Sequence, residues 1–244
     1  MTRSVLIDGA VGTFNTPSSL PTPVSSIDPN EVEYIPAEAA STYAKLADAY
    51  GREYYDDVAD VVSAHLAPER RLLDVGTGPG LLPIAIATRT DGVRIDGLDA
   101  TVELLAYGRR RARERGVGAR VSFLAADCYA IPIADRRYDA LTCTGVLHSL
   151  DAPARALTEF HRVLRPGGEA WVFDPAVLDV PDQPDVEFTD HERAVFETYG
   201  VRAAADEPPI SVAEAKRIVA RTPFDLLDVS TGPHEDVRLH LARE

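Results

Sequence analysis

Two cysteines, Cys128 and Cys143, are all that 244 residues contain, and neither stands in a metal-ligand spacing. A disulfide-stapled scaffold and a cysteine-rich zinc site are excluded, and nothing argues for an oxidising compartment. No apolar run approaches the roughly 18–20 residues of a membrane span. Near the start only Val5-Leu6-Ile7 is continuously apolar, too short for the core of a signal peptide. Positive charge is also scarce. Lys and Arg number 25 against 39 Asp and Glu, a formal charge of -14, and the only lysines are Lys45 and Lys216. A surface that acidic repels phosphate backbones and anionic headgroups. The expectation is a cytoplasmic chain with a small-molecule substrate, no nucleic-acid or membrane partner and no metal; a homodimer is compatible with it. What is abundant is apolar material, 45% of residues, enough for one large domain or a domain with an appendage.

Residues 1–36 carry Pro17, Pro21, Pro23, Pro29 and Pro36 among Ser and Thr and read as an extended or mobile arm. Residues 37–68 turn helical: Tyr43, Leu46, Ala47 and Tyr50 share one helix face, and Val58, Val61, Val62 and Leu66 another, before Pro68. From there strands and helices alternate. Strands are predicted over Arg71–Val75, Val93–Leu98, Val121–Ala125, within Tyr138–Val146 and over Ala170–Phe173. Helices are predicted over Gly80–Thr88, over Thr101–Arg115 with Thr101 as cap, and from a cap at Asp151 to Leu164, closed by Pro166-Gly167-Gly168. That alternation means a parallel sheet with helices on both faces. Residues 174–209 are irregular around a helix at Asp190–Tyr199, and Ser211 caps a last helix. Phe224–Val229 and Val237–Leu241 are separated by a turn too short for a parallel crossover, so they pair antiparallel.

The first strand runs into Asp74-Val75-Gly76-Thr77-Gly78-Pro79-Gly80. Alternate glycines allow a tight turn and let a ligand touch backbone. The dinucleotide form would need glycine at position 81, which is Leu81. Asp99 ends the second strand, where a carboxylate can accept from a ribose diol, and Asp127 ends the third, where one can accept from an adenine amine. Three acids in register with the loop favour a ligand with a cationic end and oppose a pyrophosphate. A nicotinamide oxidoreductase is therefore disfavoured.

Taken together these residues resemble the class I S-adenosylmethionine-dependent methyltransferases of the small-molecule type. Leu72–Gly80 is similar to the family's first motif, Asp99 to its ribose-binding acid and Asp127-Cys128 to its adenine-binding pair. Ile131-Pro132, Tyr138-Asp139-Ala140 and Arg162–Gly168 are similar to the later motifs. The resemblance implies a Rossmann-like doubly wound α/β sheet of seven strands in the order 3-2-1-4-5-7-6, mostly parallel with a C-terminal antiparallel hairpin. It implies a cofactor domain over residues 69–244, preceded by a helical cap at 37–68 and interrupted by a lid at about 175–210. It implies S-adenosyl-L-methionine as cofactor, held by Asp74, Gly76, Thr77, Gly78, Gly80, Asp99, Ala100, Asp127, Cys128 and, from the first helix, Tyr43 and Tyr50.

Methyl transfer is an in-line displacement by a lone pair on oxygen, nitrogen or carbon. A base is needed only where the nucleophile must lose a proton early. His148 is the candidate base, or else a wall of the pocket, and Asp174, ending the fifth strand, is the second candidate. Trp171 and the other histidines read as structural, and the arginines of Arg109–Arg115 as a solvated face. Asp174, Asp179, Asp182, Asp185, Glu187, Asp190 and Glu192, with no intervening Lys or Arg, suggest a neutral or cationic acceptor or simply a solvated acidic loop. The leading expectation is methylation of a small metabolite in specialised biosynthesis. The alternatives are a cyclase or rearrangement catalyst on the same cofactor and a non-catalytic binding module.

Overall fold

In the computed structural model, which describes residues 4–7, 10–13, 34–174, 180, 184–199 and 210–244, the chain forms two compact units, Met1–Val32 and Glu33–Glu244. Within the first, β1 (Ser4–Ile7) and β2 (Ala10–Thr13) pair as an antiparallel hairpin, so this part of the expected arm has regular backbone. Its proline-rich remainder, residues 14–33, lies outside the described residues, as does half of the expected lid.

The second unit begins with α1 (Ala40–Tyr50) and α2 (Arg52–Ser63), separated by Gly51. A Cβ at Gly51 would lie 2.7 Å from the Ala47 carbonyl, so only glycine lets the two helices follow so closely. α2 buries Tyr54, Val58, Ala59 and Val62 in the same apolar cluster as Leu72, Ile95 and Phe173, so it is one of the helices that cover the sheet.

Next come β3 (Arg71–Val75), α3 (Leu81–Arg89), β4 (Arg94–Asp99), α4 (Val102–Glu114), β5 (Val121–Ala125) and β6 (Tyr138–Thr144). They are followed by α5 (Pro153–Val163), β7 (Leu164–Asp174), α6 (Asp190–Tyr199), α7 (Val212–Val219), β8 (Asp225–Thr231) and β9 (Val237–Ala242). The sheet order is β5-β4-β3-β6-β7-β9-β8. Counted from β3 this is 3-2-1-4-5-7-6, with β9 antiparallel to both neighbours, as expected. β3 and β6 are buried on both faces, as central parallel strands are. Leu73, Leu141 and Val172 face α5 and α7, while Leu72, Ala140 and Phe173 face α2 and α3.

Three expected helix ends are corrected. Thr101 does sit at the N-cap of α4, but its hydroxyl donates to the Ile35 carbonyl at 2.6 Å instead of capping. Asp151 does not cap α5: the N-cap residue is Ala152, Pro153 is the first helical residue, and a proline there needs no N–H partner. Pro166-Gly167-Gly168 does not close that helix as a loop. It lies inside β7, where Gly167 N–H donates to Arg243 O and Gly168 O accepts from Arg243 N–H. Pairing with the last residues of the chain turns an apparent helix stop into strand.

Candidate functional site

The strand order reverses at β3, between β4 and β6, and an open parallel sheet forms its ligand crevice at the carboxyl ends of the strands on either side. The chain puts glycine on both lips. Gly76 has φ +71, and a Cβ there would lie 2.1 Å from Val146 Cγ2, so the loops after β3 and β6 are in direct contact. The N–H groups of Gly76 and Thr77 both donate to the Leu98 carbonyl, at 2.8 and 2.9 Å, which ties the loop to β4. Gly80, in left-handed backbone, packs on Phe123 and leads into α3.

Asp74 lies under this loop and is 2% exposed. Burial pushes its carboxyl up to about 6, against the hydroxyls of Thr77 and Thr142, which favour the ionised form. Thr142 Oγ1 donates to it at 2.7 Å from the register-paired position on β6. Asp99 is half-buried at the end of β4 and accepts from Gly78 N–H at 2.7 Å and Thr101 N–H at 2.8 Å, with Ala100 N–H also on it. Burial raises it, and these backbone donors oppose the rise. Asp127 is exposed after β5 and accepts from Tyr129 N–H at 2.8 Å in a turn that begins at Cys128.

Tyr43 of α1 closes the loop from above, its Cε1 lying 3.7 Å from the position a Gly78 Cβ would take. Its hydroxyl is hydrogen-bonded to that of Tyr55. Tyr55 lies close enough to Asp74 to feel its charge, so the structure adds Tyr55 to the site. Tyr50 acts elsewhere. Its hydroxyl accepts from Asp185 N–H at 2.8 Å, fastening α1 to the segment before α6. Arg111 is a second addition. The expected solvated face holds for its neighbours Arg109, Arg110, Arg113 and Arg115, but Arg111 turns inward and is 12% exposed. It donates to the Pro79 carbonyl and pairs with Asp48, bracing loop and α1 together.

Across the crevice, His148 stands in the single turn Leu147–Ser149 after β6, and Asp174 ends β7. Because β6 and β7 are parallel neighbours with Thr144 opposite Phe173, their two ends converge. His148 Nδ1 lies 2.5 Å from Asp174 Oδ1, with both side chains almost fully buried. Burial raises the Asp174 carboxyl, and the hydrogen bond from His148 holds it back. The two residues proposed separately from sequence are one pair.

Of the acidic stretch, Asp179 and Asp182 lie outside the described residues. Glu192 is engaged with Lys45 at 2.7 Å; burial works against its charge, yet Lys45 and the Thr189 N–H hold it down at about 2. Among the described residues no cluster of His, Cys, Asp and Glu could hold a metal ion, and no helix is long and apolar enough to cross a membrane.

A family model described as "Methyltransferase domain" matches residues 73–172, from β3 through β7. The chain is 36% identical over 115 residues to a demethylmenaquinone methyltransferase of Thermus thermophilus, covering 47% of this chain and 49% of that protein. It is 32% identical over 152 residues to a ubiquinone/menaquinone biosynthesis C-methyltransferase of Dinoroseobacter shibae, covering 62% and 61%. It thus spans about half to three-fifths of the length of these relatives. Among solved structures it is similar to the [4+2]-cyclase SpnF, with 28% identity, a TM-score of 0.54, and coverage of 72% of this chain and 58% of that one. Glycine loop, strand-end acids and strand order agree with that match: residues 73–172 are similar to a methyltransferase domain, and the sheet has the strand order of the class I S-adenosylmethionine-dependent methyltransferases.

Proposed function

We propose that this chain transfers the methyl group of S-adenosylmethionine to a hydroxyl-bearing small molecule, with His148 and Asp174 removing the acceptor's proton. The observation that carries the proposal is the 2.5 Å contact of His148 Nδ1 with Asp174 Oδ1 on the lip of the crevice facing the glycine loop.

The residues present fit the cofactor. Asp74 is a buried carboxylate held by hydroxyls, with no cation on it among the described residues, a suitable partner for an ammonium group. The two oxygens of Asp99 share backbone donors from Gly78, Thr101 and Ala100 and keep a lone pair for a ribose hydroxyl. Asp127 is exposed and can accept from an exocyclic amine, with Cys128 beside it. Tyr43 and the glycines at 76, 78 and 80 shape the backbone cradle. When bound, S-adenosylmethionine supplies an electrophilic methyl on a sulfonium, open to in-line attack by a lone pair.

Asp174 accepts the Nδ1 proton of His148 and fixes the ring in the tautomer whose Nε2 is a base. Nε2 takes the proton of the acceptor hydroxyl as the new bond forms, Asp174 stabilises the resulting imidazolium, and the proton then passes to solvent. Deprotonating a hydroxyl on an aromatic ring enriches both that oxygen and the adjacent ring carbon, so one base serves O-methylation or C-methylation, the latter completed when the methylated carbon loses its own proton to solvent and the ring oxygen is reprotonated. The names of the relatives make a reduced quinone ring the first acceptor class to test.

The test is a single-turnover assay with methyl-labelled cofactor and reduced naphthoquinone acceptors, read by product mass. His148→Gln should lower turnover at least about a hundredfold while leaving the Kd for S-adenosylmethionine within about twofold. Equal losses in turnover and affinity would assign His148 to binding. The similarity to a cyclase keeps one other reading in play: product of unchanged mass, formed only when cofactor is bound, would favour it.

A further inference from the structure

Where α2, α3 and α4 meet at the surface, the described residues line a cavity of about 80 Å³. At roughly 10–15 Å³ for each water-sized group, it has room for about five to eight non-hydrogen atoms. Leu81 and Ile84 of α3 and the ring of Tyr55 give it an apolar wall. Arg52 of α2 and Arg111 and Arg115 of α4 line the rest, together with Asp56.

Helix spacing brings the charged groups to one place. Arg52, Tyr55 and Asp56 stand at i, i+3 and i+4 on α2, and Arg111 and Arg115 at i and i+4 on α4, with Arg115 as its C-cap residue. Two like charges at that spacing destabilise a helix unless something negative meets them. The neighbouring carboxylates do not suffice. Asp56 pairs with Arg89 at 2.7 Å and not with Arg52. Arg52 and Arg111 share Asp48, which Arg52 reaches only at 3.5 Å. Among the described residues the Arg115 side chain has no ion pair or hydrogen bond. Arg52, Arg89, Arg111 and Arg115 together meet only Asp48, Asp56 and Asp60, which leaves a positive charge over in a chain whose formal charge is -14.

The cavity also shares two members with the cofactor cradle. Arg111 donates to the Pro79 carbonyl in the glycine loop. The hydroxyl of Tyr55 is hydrogen-bonded to that of Tyr43, which covers Gly78.

We propose that this cavity is a second ligand site, that it takes a short-chain monocarboxylate on Arg52 and Arg115, and that its occupant tightens the hold of the glycine loop on S-adenosylmethionine. A guanidinium presents paired N–H donors that match the two oxygens of a carboxylate. The single unmatched charge suits a monoanion, whereas a dianion would face Asp48 and Asp56 with charge to spare. The apolar wall packs a short hydrocarbon body and offers inorganic phosphate nothing of use. A carboxylate held by Arg52 and Arg115 leaves Asp48 to Arg111 alone, which fixes the Pro79 carbonyl more firmly. The site stands apart from the proton transfer at His148, and only its coupling rests on the methyl-transfer reading.

The test titrates the full chain, at constant ionic strength, with sodium isobutyrate and with its neutral isostere isobutyramide, following arginine side-chain N–H signals by NMR. Isobutyrate should bind saturably, at least about tenfold tighter than isobutyramide, and move the signals of Arg52, Arg111 and Arg115. Arg52→Gln and Arg115→Gln should each weaken it about three- to tenfold. In calorimetric titrations, saturating isobutyrate should lower the wild-type Kd for S-adenosylhomocysteine about fivefold, and S-adenosylhomocysteine should lower the Kd for isobutyrate by the same factor, as linkage requires. No saturable binding, equal binding of the two probes, or wild-type binding by both variants would each overturn the site. Bound isobutyrate that leaves the S-adenosylhomocysteine affinity unchanged would overturn the coupling. A wild type that takes up isobutyrate but no S-adenosylhomocysteine would uphold the site and strike the methyl-transfer reading instead.

Discussion

Asp74 shows what a single residue can do when the sheet buries it. Its neighbours Leu72, Leu73 and Val75 are fully buried, and its carboxyl rises to about 6. The unfolded chain binds that proton near pH 3.9. Between the two values the folded state holds more protons than the unfolded one, so this group's contribution to stability grows as pH falls through about 6 and is lost as pH rises. Asp74→Asn should therefore stabilise the protein above about pH 7, by up to the order of 3 kcal/mol, and lose that advantage near pH 4. The same variant should weaken S-adenosylmethionine binding at least tenfold, about 1.4 kcal/mol. Thermal unfolding of the two proteins across pH, with cofactor titrations at the same points, checks both. A variant less stable than wild type at neutral pH, or one that binds the cofactor as well, would count against a strained carboxylate kept for a cation.

At the scale of elements, what could be read from sequence was whatever is local. Leu72–Val75, apolar but for Asp74, and Leu141–Cys143, apolar or small throughout, announce central strands, and Asp190–Tyr199 and Ser211 mark helix ends by composition and a capping hydroxyl that accepts Glu214 N–H at 3.2 Å. The glycines and strand-end acids were legible for the same reason: loop and acid lie within a few residues of their strands. What escaped depends on pairing between distant segments. Gly167 and Gly168 look like a helix stop until Arg243 hydrogen-bonds beside them. His148 and Asp174 are 26 positions apart, and only the parallel pairing of β6 with β7 makes them partners. Arg111 sits among arginines that face solvent, and nothing in spacing separates it from Arg109 or Arg113.

Arg111 also carries a prediction at this scale, because it links α4, the loop and α1 through the Pro79 carbonyl and Asp48. Arg111→Met keeps most of the packing stem and removes the fork. The loop and Tyr43 should then lose their mutual register, and the Kd for S-adenosylhomocysteine should rise about tenfold with a small change in Tm. Hydrogen exchange localised to residues 76–80 would confirm the path. Unchanged affinity would reduce Arg111 to a surface ion pair.

The molecule as a whole carries a formal charge of -14, with Asp74, Asp99 and Asp127 along the crevice. A field of that sign draws cations toward the sheet edge and slows anions. S-adenosylmethionine carries a sulfonium that S-adenosylhomocysteine lacks, so at neutral pH the first is a net monocation and the second has no net charge. The two ligands share every other group, which makes their comparison a measure of the field alone. Stopped-flow association of S-adenosylmethionine should slow several-fold as salt is raised from low ionic strength to about 0.5 M, where the screening length falls to a few ångströms. Association of S-adenosylhomocysteine should change much less. The difference between the slopes reports how much of the acidic surface the crevice feels. Parallel slopes would mean that the negative charge serves solubility and that cofactor capture is governed by local contacts at Asp74 and Asp99. Divergent slopes would also favour departure of the demethylated product, because the charge that draws the cofactor in disappears with the methyl group.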